Sequence, residues 1–184
     1  MIMLEKKLVG DDAIIGICEI INKNKNLRNF RSLEITTVRE LLRELTANQD
    51  IEIQHKQSGQ PFLEDGTNIS ISHTRGYATV MLSEKHLVGI DIEYISDRVE
   101  RVVSKFVRED EVVRDTMDKL ILWSAKEAVY KLFSEQNLEY FEMRALPFDK
   151  DKSNHLIIEN LKSNLSQKVY FEYNDKYVLT YCIR

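Results

Sequence analysis

One hexapeptide constrains this chain more than any other stretch: Val88-Gly89-Ile90-Asp91-Ile92-Glu93. On an extended strand, residues i and i+2 point to the same face. Ile90 and Ile92 therefore enter a core, and Asp91 and Glu93 stand together on the other face. Two like charges side by side repel, and a bound cation relieves that cost. An all-oxygen donor set favours Mg²⁺, with Mn²⁺ as the alternative, over zinc or copper. The same alternation also fits an edge strand with two solvated acids, and the hexapeptide alone does not separate the two readings.

The 184 residues are enough for one domain or two small halves with a real core. A composition of 43% hydrophobic and 30% charged residues is that of an ordinary globular protein rather than a disordered one. The net charge of −4 argues against nucleic acid as a partner, so any anionic ligand must be held by a local cluster of bases. Cys18 and Cys182 have no CxxC partner and no metal-site spacing. Their apolar surroundings fit buried free thiols in a reducing, cytoplasmic setting. Met1 to Lys7 lacks the layout of a signal peptide, and no apolar run reaches membrane-spanning length, so no membrane partner is expected.

Along the chain, Ala13 to Ile20 predicts a strand closed by the polar stretch Asn22 to Asn26. Phe30, Leu33, Thr37, Val38, Leu41, Leu42 and Leu45 repeat at three and four, which predicts an amphipathic helix. Short strands follow at Ile51–His55, Asn68–His73 and Tyr77–Leu82, with turns at Ser58-Gly59-Gln60-Pro61 and Asp65-Gly66. Ser70 and Ser72 share a strand face, and His73 ends that strand. Ser96 is placed to cap a helix that buries Val99, Val102, Val103 and Phe106 and exposes Arg98, Arg101 and Lys105. A short helix is expected from Arg108 and a longer one over Lys119–Ser134. Strands are expected at Tyr140–Phe141, His155–Glu159, Val169–Tyr173 and Tyr177–Ile183, the last two joined by a turn at Asn174-Asp175. The resulting fold class is α+β: two halves, 1–95 and 96–184, each a small antiparallel sheet packed with helices.

On the long helix, Trp123, Glu127 and Lys131 fall at i, i+4 and i+8, on one side. Ile121, Leu122, Ala125, Ala128, Val129 and Leu132 define a core face, and Lys126 and Tyr130 are expected to flank the charged side. A solvated face with a Glu127–Lys131 ion pair would look the same, at a few tenths of a kcal/mol. Taken with Asp91 and Glu93, however, the helix adds a third carboxylate and two lysines. That set describes a Mg²⁺–pyrophosphate site, whose chemistry is phosphoryl transfer.

Gly89-Ile90-Asp91-Ile92-Glu93 followed by Trp123-Ser124-Ala125-Lys126-Glu127-Ala128-Val129-Tyr130-Lys131 resembles the GxDxE and WxxKExxxK motifs of the 4′-phosphopantetheinyl transferase superfamily. Ile69-Ser70-Ile71-Ser72-His73-Thr74 resembles its upstream serine–histidine segment, and Ser58-Gly59-Gln60-Pro61-Phe62 its GKP loop. The size resembles the longer, monomeric class, whose two halves are related by a pseudo-twofold axis. The resemblance implies that coenzyme A binds between the halves as a substrate. A serine of an apo acyl or peptidyl carrier protein then attacks its β-phosphate, and 3′,5′-ADP leaves. It implies Asp91, Glu93 and Glu127 as metal ligands and Glu127 as base, directly or through a water. It implies Lys131 and Lys126 on the pyrophosphate, Ser72 and His73 on coenzyme A phosphates, and Arg39 at the 3′-phosphate. Gly59, Gln60 and Pro61 would approach the adenine end, where Gln60 replaces the family's lysine and removes a charge. Because carrier proteins are acidic and this chain is net negative, docking must be local, and the stripe Arg98, Arg101 and Lys105 is the expected patch.

Overall fold

The computed structural model describes residues 1–21 and 30–184; the expected polar break Asn22–Asn26 lies outside the described residues. The chain is α+β and divides into two compact units, Met1–Val88 and Gly89–Arg184.

In the first unit, β1 (Ile2–Val9), β2 (Ala13–Glu19), β5 (Asn68–Thr74) and β6 (Tyr77–Ser83) form a sheet in the order β1-β2-β6-β5. All three of its pairings are antiparallel. Helix α1 (Phe30–Thr46) buries Val38, Leu41, Leu42 and Leu45 in a cluster with Cys18, Ala78 and Val80. Gly16 on β2 permits this packing, since a Cβ there would meet both Leu45 Cδ atoms at 2.9 Å. Of the strand expected over Ile51–His55, the structure keeps β3 (Gln54–His55), paired with β4 (Pro61–Phe62). The loop between them turns at Gly59, whose φ of +86° lies in the left-handed region open to glycine. β1 was not expected. Its burial alternates, yet Leu4 and Leu8 are the exposed members, so hydropathy does not mark it as an edge strand.

In the second unit, β7 (Val88–Tyr94), β8 (Met143–Ala145), β9 (His155–Asn160), β10 (Leu165–Tyr173) and β11 (Tyr177–Ile183) form a sheet in the order β7-β11-β10-β9-β8. Ile95 N donates to Lys176 O at 2.9 Å, and Cys182 lies beside Gly89 at the other end, so β7 and β11 run in opposite directions. The turn between β10 and β11 forms where expected, with Asn174 Oδ1 accepting from Lys176 N (2.8 Å) and Tyr177 N (3.0 Å). Helix α2 (Thr116–Leu132) begins three residues before the expected start. Asp115 caps it by accepting from Asp118 N at 2.8 Å. Its expected core face is buried throughout, against Val169, Phe171, Val178 and Cys182.

Four expectations need correction here, the first being the short helix from Arg108, where the structure has only a turn at Glu109–Asp110. The sequence puts the strand bearing Asp91 and Glu93 at the end of a first half closing at residue 95. It instead pairs with β11, because its hydrogen-bonding partner lies some 90 residues downstream, and the division falls after Val88. The helix after Ser96 is two 3-10 turns, Asp97–Arg101 and Val103–Lys105. Ser96 does cap the first, but Val102 breaks the run at φ −121°, ψ 4°, and adjacent β-branched valines are poor helix formers. Tyr140–Glu142 is a 3-10 turn rather than a strand, and β8 starts only at Met143.

Candidate active site

The site begins with a close approach. A Cβ on Gly89 would sit 2.1 Å from Ala128 O and 3.1 Å from Cys182 Sγ. Only glycine lets the backbone of β7 meet that of α2 here, and the contact sets Asp91 opposite the turn of helix carrying Glu127 and Lys131. Ile90 and Ile92 are buried at 0% and 1% exposure, as the alternation requires.

Each of the three carboxylates is held by a different donor. Asp91, itself buried, accepts from Lys131 Nζ at 2.7 Å, and the same ammonium reaches Ile90 O at 2.9 Å. Glu93 Oε1 accepts from Trp123 Nε1 at 2.9 Å. Glu127 Oε1 accepts from the Tyr140 hydroxyl. Trp123 thus lies on the charged side of α2, as expected, and its indole serves an acid there. Its ring is stacked on Tyr140, with centroids 5.1 Å apart and planes at 29°, and stands edge-on to Phe106 at 5.1 Å and 77°.

Burial pushes the Glu127 carboxyl above its ordinary value, and the Asp91 charge pushes it the same way; the Tyr140 hydrogen bond and Lys131 oppose them. A cation bound beside the carboxyl would oppose both effects. The donors are all carboxylate oxygens, which fits a hard ion such as Mg²⁺. As a set the three acids are not drawn tightly together. Among the described residues, the His, Cys, Asp and Glu group whose ligand atoms all lie within 4.8 Å of one another is Asp11, Asp12 and His86, in the first unit. That group is accounted for by its own bonds. Asp12 accepts from Ser83 Oγ and Lys85 N, and Asp11 pairs with Lys85 and His86.

Lys126 departs from expectation. It is fully buried rather than flanking the charged side. Its Nζ donates to Phe106 O (2.7 Å), Glu111 Oε2 (2.9 Å) and Tyr140 O (3.3 Å), and lies 2.8 Å from Glu111 Oε1. An ammonium has three N–H donors, so none is left for a phosphate in this arrangement. Glu111 also accepts from Ala145 N at 2.7 Å and from Arg108 N at 2.9 Å. Lys126 therefore ties α2 to Phe106 after the preceding 3-10 turns, to the Tyr140 turn and, through Glu111, to the end of β8. Desolvation pulls its pKa down, and Glu111 pulls it back up.

Glu127, Tyr130, Tyr140, Phe141, Leu138 and Lys105 line a pocket of about 600 Å³. Arg98, Arg101 and Lys105 are all exposed, and Arg98 Nη1 donates to the Tyr94 hydroxyl at 3.1 Å. The remaining expected residues belong to the first unit. There His73 Nδ1 lies 3.3 Å from Glu34 Oε1 of α1, Ser72 is buried on β5, and Arg39 is exposed on α1. Gly59, Gln60 and Pro61 sit in and after the β3–β4 loop, where Gln60 O accepts from Lys56 N at 2.9 Å. Sequence reasoning missed Tyr140 and Glu111. Neither has a local periodic signal, and both act through the helix that was recognised.

A family model described as the 4′-phosphopantetheinyl transferase superfamily matches residues 87–182, the stretch that contains β7, α2 and the second sheet up to Cys182. The chain is also 26% identical over 123 residues to the 4′-phosphopantetheinyl transferase gsp of Aneurinibacillus migulanus, covering 62% of this chain and 51% of that protein, so it spans about half of that relative's length. The strand–helix site and the matched stretch coincide, and the chain belongs to the 4′-phosphopantetheinyl transferase superfamily.

Proposed function

We propose that this protein transfers 4′-phosphopantetheine from coenzyme A to a serine hydroxyl of an apo acyl or peptidyl carrier protein, with Mg²⁺, as a phosphotransferase for substituted phosphate groups. The observation that carries the reading is the meeting of Asp91, Glu127 and Lys131 where β7 crosses α2. Asp91, Glu93 and Glu127 would hold the ion, which when bound supplies Lewis-acid charge compensation to a pyrophosphate. Glu127, raised in pKa and open to the 600 Å³ pocket, takes the proton of the attacking serine. The serine Oγ–phosphorus bond forms at the β-phosphate as the bond from that phosphorus to the bridging oxygen breaks, and 3′,5′-ADP leaves. Lys131 offsets the charge that gathers on the pyrophosphate. Ser72, His73 and Arg39 of the first unit are proposed for the coenzyme A phosphates, and the Gly59–Pro61 loop for its adenine end. The exposed bases Arg98, Arg101 and Lys105 are proposed as the carrier patch, one of them on the rim of the Glu127 pocket. The protein is proposed to act as a cytoplasmic monomer.

The alternative is a coenzyme A-binding protein that has lost catalysis. Purified protein is mixed with apo carrier, coenzyme A and Mg²⁺, and the carrier is weighed by mass spectrometry. A phosphopantetheine mass gain supports the transferase, and coenzyme A binding without a gain supports the alternative. Reversing Arg98, Arg101 and Lys105 together should raise the KM for carrier and leave coenzyme A affinity alone; unchanged carrier kinetics would remove the patch.

A further inference from the structure

Tyr140 lies outside both motifs, yet it touches the acid on which the chemistry depends. Its hydroxyl donates to Glu127 Oε1. The tyrosine is itself fixed from three directions. Its ring is stacked on Trp123. Its carbonyl accepts from Lys126 Nζ, which the buried Glu111 anchors. Its turn is closed on both sides: Glu139 N donates to Glu142 Oε2 at 2.9 Å, and Glu142 N donates to Glu139 O at 3.0 Å. The partner of that stacked pair, Trp123, donates to Glu93. One aromatic pair therefore holds two of the three acids.

We infer that Tyr140 is a positioning residue, whose hydroxyl fixes the Glu127 carboxylate for the metal ion and for the incoming acceptor. The inference rests on the reading of Glu127 as ligand and base given above. A side chain such as Glu127 has three rotatable bonds, and without a fixed donor its oxygens would sample orientations that do not face Asp91. Donors that orient a ligating carboxylate typically matter by 10- to 100-fold in metal affinity or activity. Tyr140→Phe isolates the effect, because it removes the hydroxyl and leaves the ring on Trp123.

Mn²⁺ binding is titrated calorimetrically for the wild type, Tyr140→Phe and Glu127→Gln. Tyr170→Phe serves as a control hydroxyl deletion at a tyrosine stacked on Tyr181 instead. Far-UV circular dichroism, with its thermal melt, monitors folding, and transfer kinetics are run in parallel. Tyr140→Phe should weaken Mn²⁺ binding about tenfold or more with an unchanged dichroism spectrum. It should lower kcat at low Mg²⁺ without raising the KM for coenzyme A, and regain rate as Mg²⁺ is raised; Tyr170→Phe should match the wild type throughout. Wild-type Mn²⁺ affinity in Tyr140→Phe, with Glu127→Gln impaired, overturns the inference and leaves the reading of Glu127 intact. Wild-type affinity in Glu127→Gln overturns both. Loss of binding together with loss of the dichroism signature assigns Tyr140 a packing role only and also overturns the inference.

Discussion

Lys126 separates two accounts of the WxxKExxxK helix, and Lys126→Met tests them. If Lys126 is a phosphate contact, the substitution should slow transfer and leave stability nearly unchanged. If it is the interior tie described above, the substitution strips a buried acid, the buried Phe106 carbonyl and the half-buried Tyr140 carbonyl of their shared donor. Lys126 is 0% exposed and the Glu111 side chain 1%, so solvent cannot take over. Removing one partner of a buried pair costs about 3–5 kcal/mol, because the other charge stays buried without compensation. At about 2–4 °C per kcal/mol for a chain of this size, the melting temperature should fall on the order of 6–20 °C. Glu111 keeps two backbone donors, Ala145 N and Arg108 N, which places the loss toward the lower end. Adding Glu111→Met to Lys126→Met should return most of the stability, since two apolar side chains replace the whole pair. Thermal unfolding of the metal-free protein by circular dichroism makes the measurement. A melting temperature for Lys126→Met within 2 °C of the wild type, or a double variant no better than the single one, would refute the tie.

Three further outcomes follow from the same geometry. Gly89→Ala should destabilise the second unit by at least the 1–3 kcal/mol typical of overpacking, since its Cβ meets backbone and not a flexible side-chain tip; a chemical denaturation midpoint equal to the wild type would contradict the close approach. Glu127 has a folded pKa above its ordinary 4.5, so between those values the folded, metal-free protein keeps a proton that the unfolded chain has released. Stability should therefore fall as pH rises through that window, and above it Glu127→Gln should be the more stable protein, as read by urea titration in chelator. A variant less stable than the wild type above that window would contradict this. Cys18 is pushed up to about 11 and Cys182 higher still, both by burial, so a thiol reagent near neutral pH should label neither until denaturant is added. Rapid labelling of either cysteine in the native protein would count against the buried placement.

Much of the site was legible because its two elements carry their own periodicity. Alternation placed Asp91 and Glu93 on one strand face, and a spacing of four placed Trp123, Glu127 and Lys131 on one side of a helix. The same helical spacing also held the correction to Lys126, which sits four residues after Leu122 and three before Val129, both core positions. Its charge drew it to the wrong side of the reading, and its partner Glu111, 15 residues away, was invisible to local pattern. Tyr140 was hidden for the same reason, since what makes it matter is a stack on Trp123 made across the fold. The sheet to which β7 belongs was equally out of reach. A strand's own residues encode its faces but not its neighbour, and β7 finds β11 at the far end of the chain. The run after Ser96 had a correct cap and a wrong continuation, because the same valines fit the buried stripe of a helix and the buried side of two short turns.

The central claim is that Asp91, Glu93 and Glu127 make one metal-dependent centre for phosphopantetheine transfer. The most direct measurement is the rate of mass gain on an apo carrier with coenzyme A, in wild type and in Asp91→Asn, with Mg²⁺ and with chelator. The account predicts a gain in the wild type that requires Mg²⁺ and a gain in Asp91→Asn reduced by orders of magnitude. A gain at the wild-type rate in chelator, or in Asp91→Asn, would contradict it.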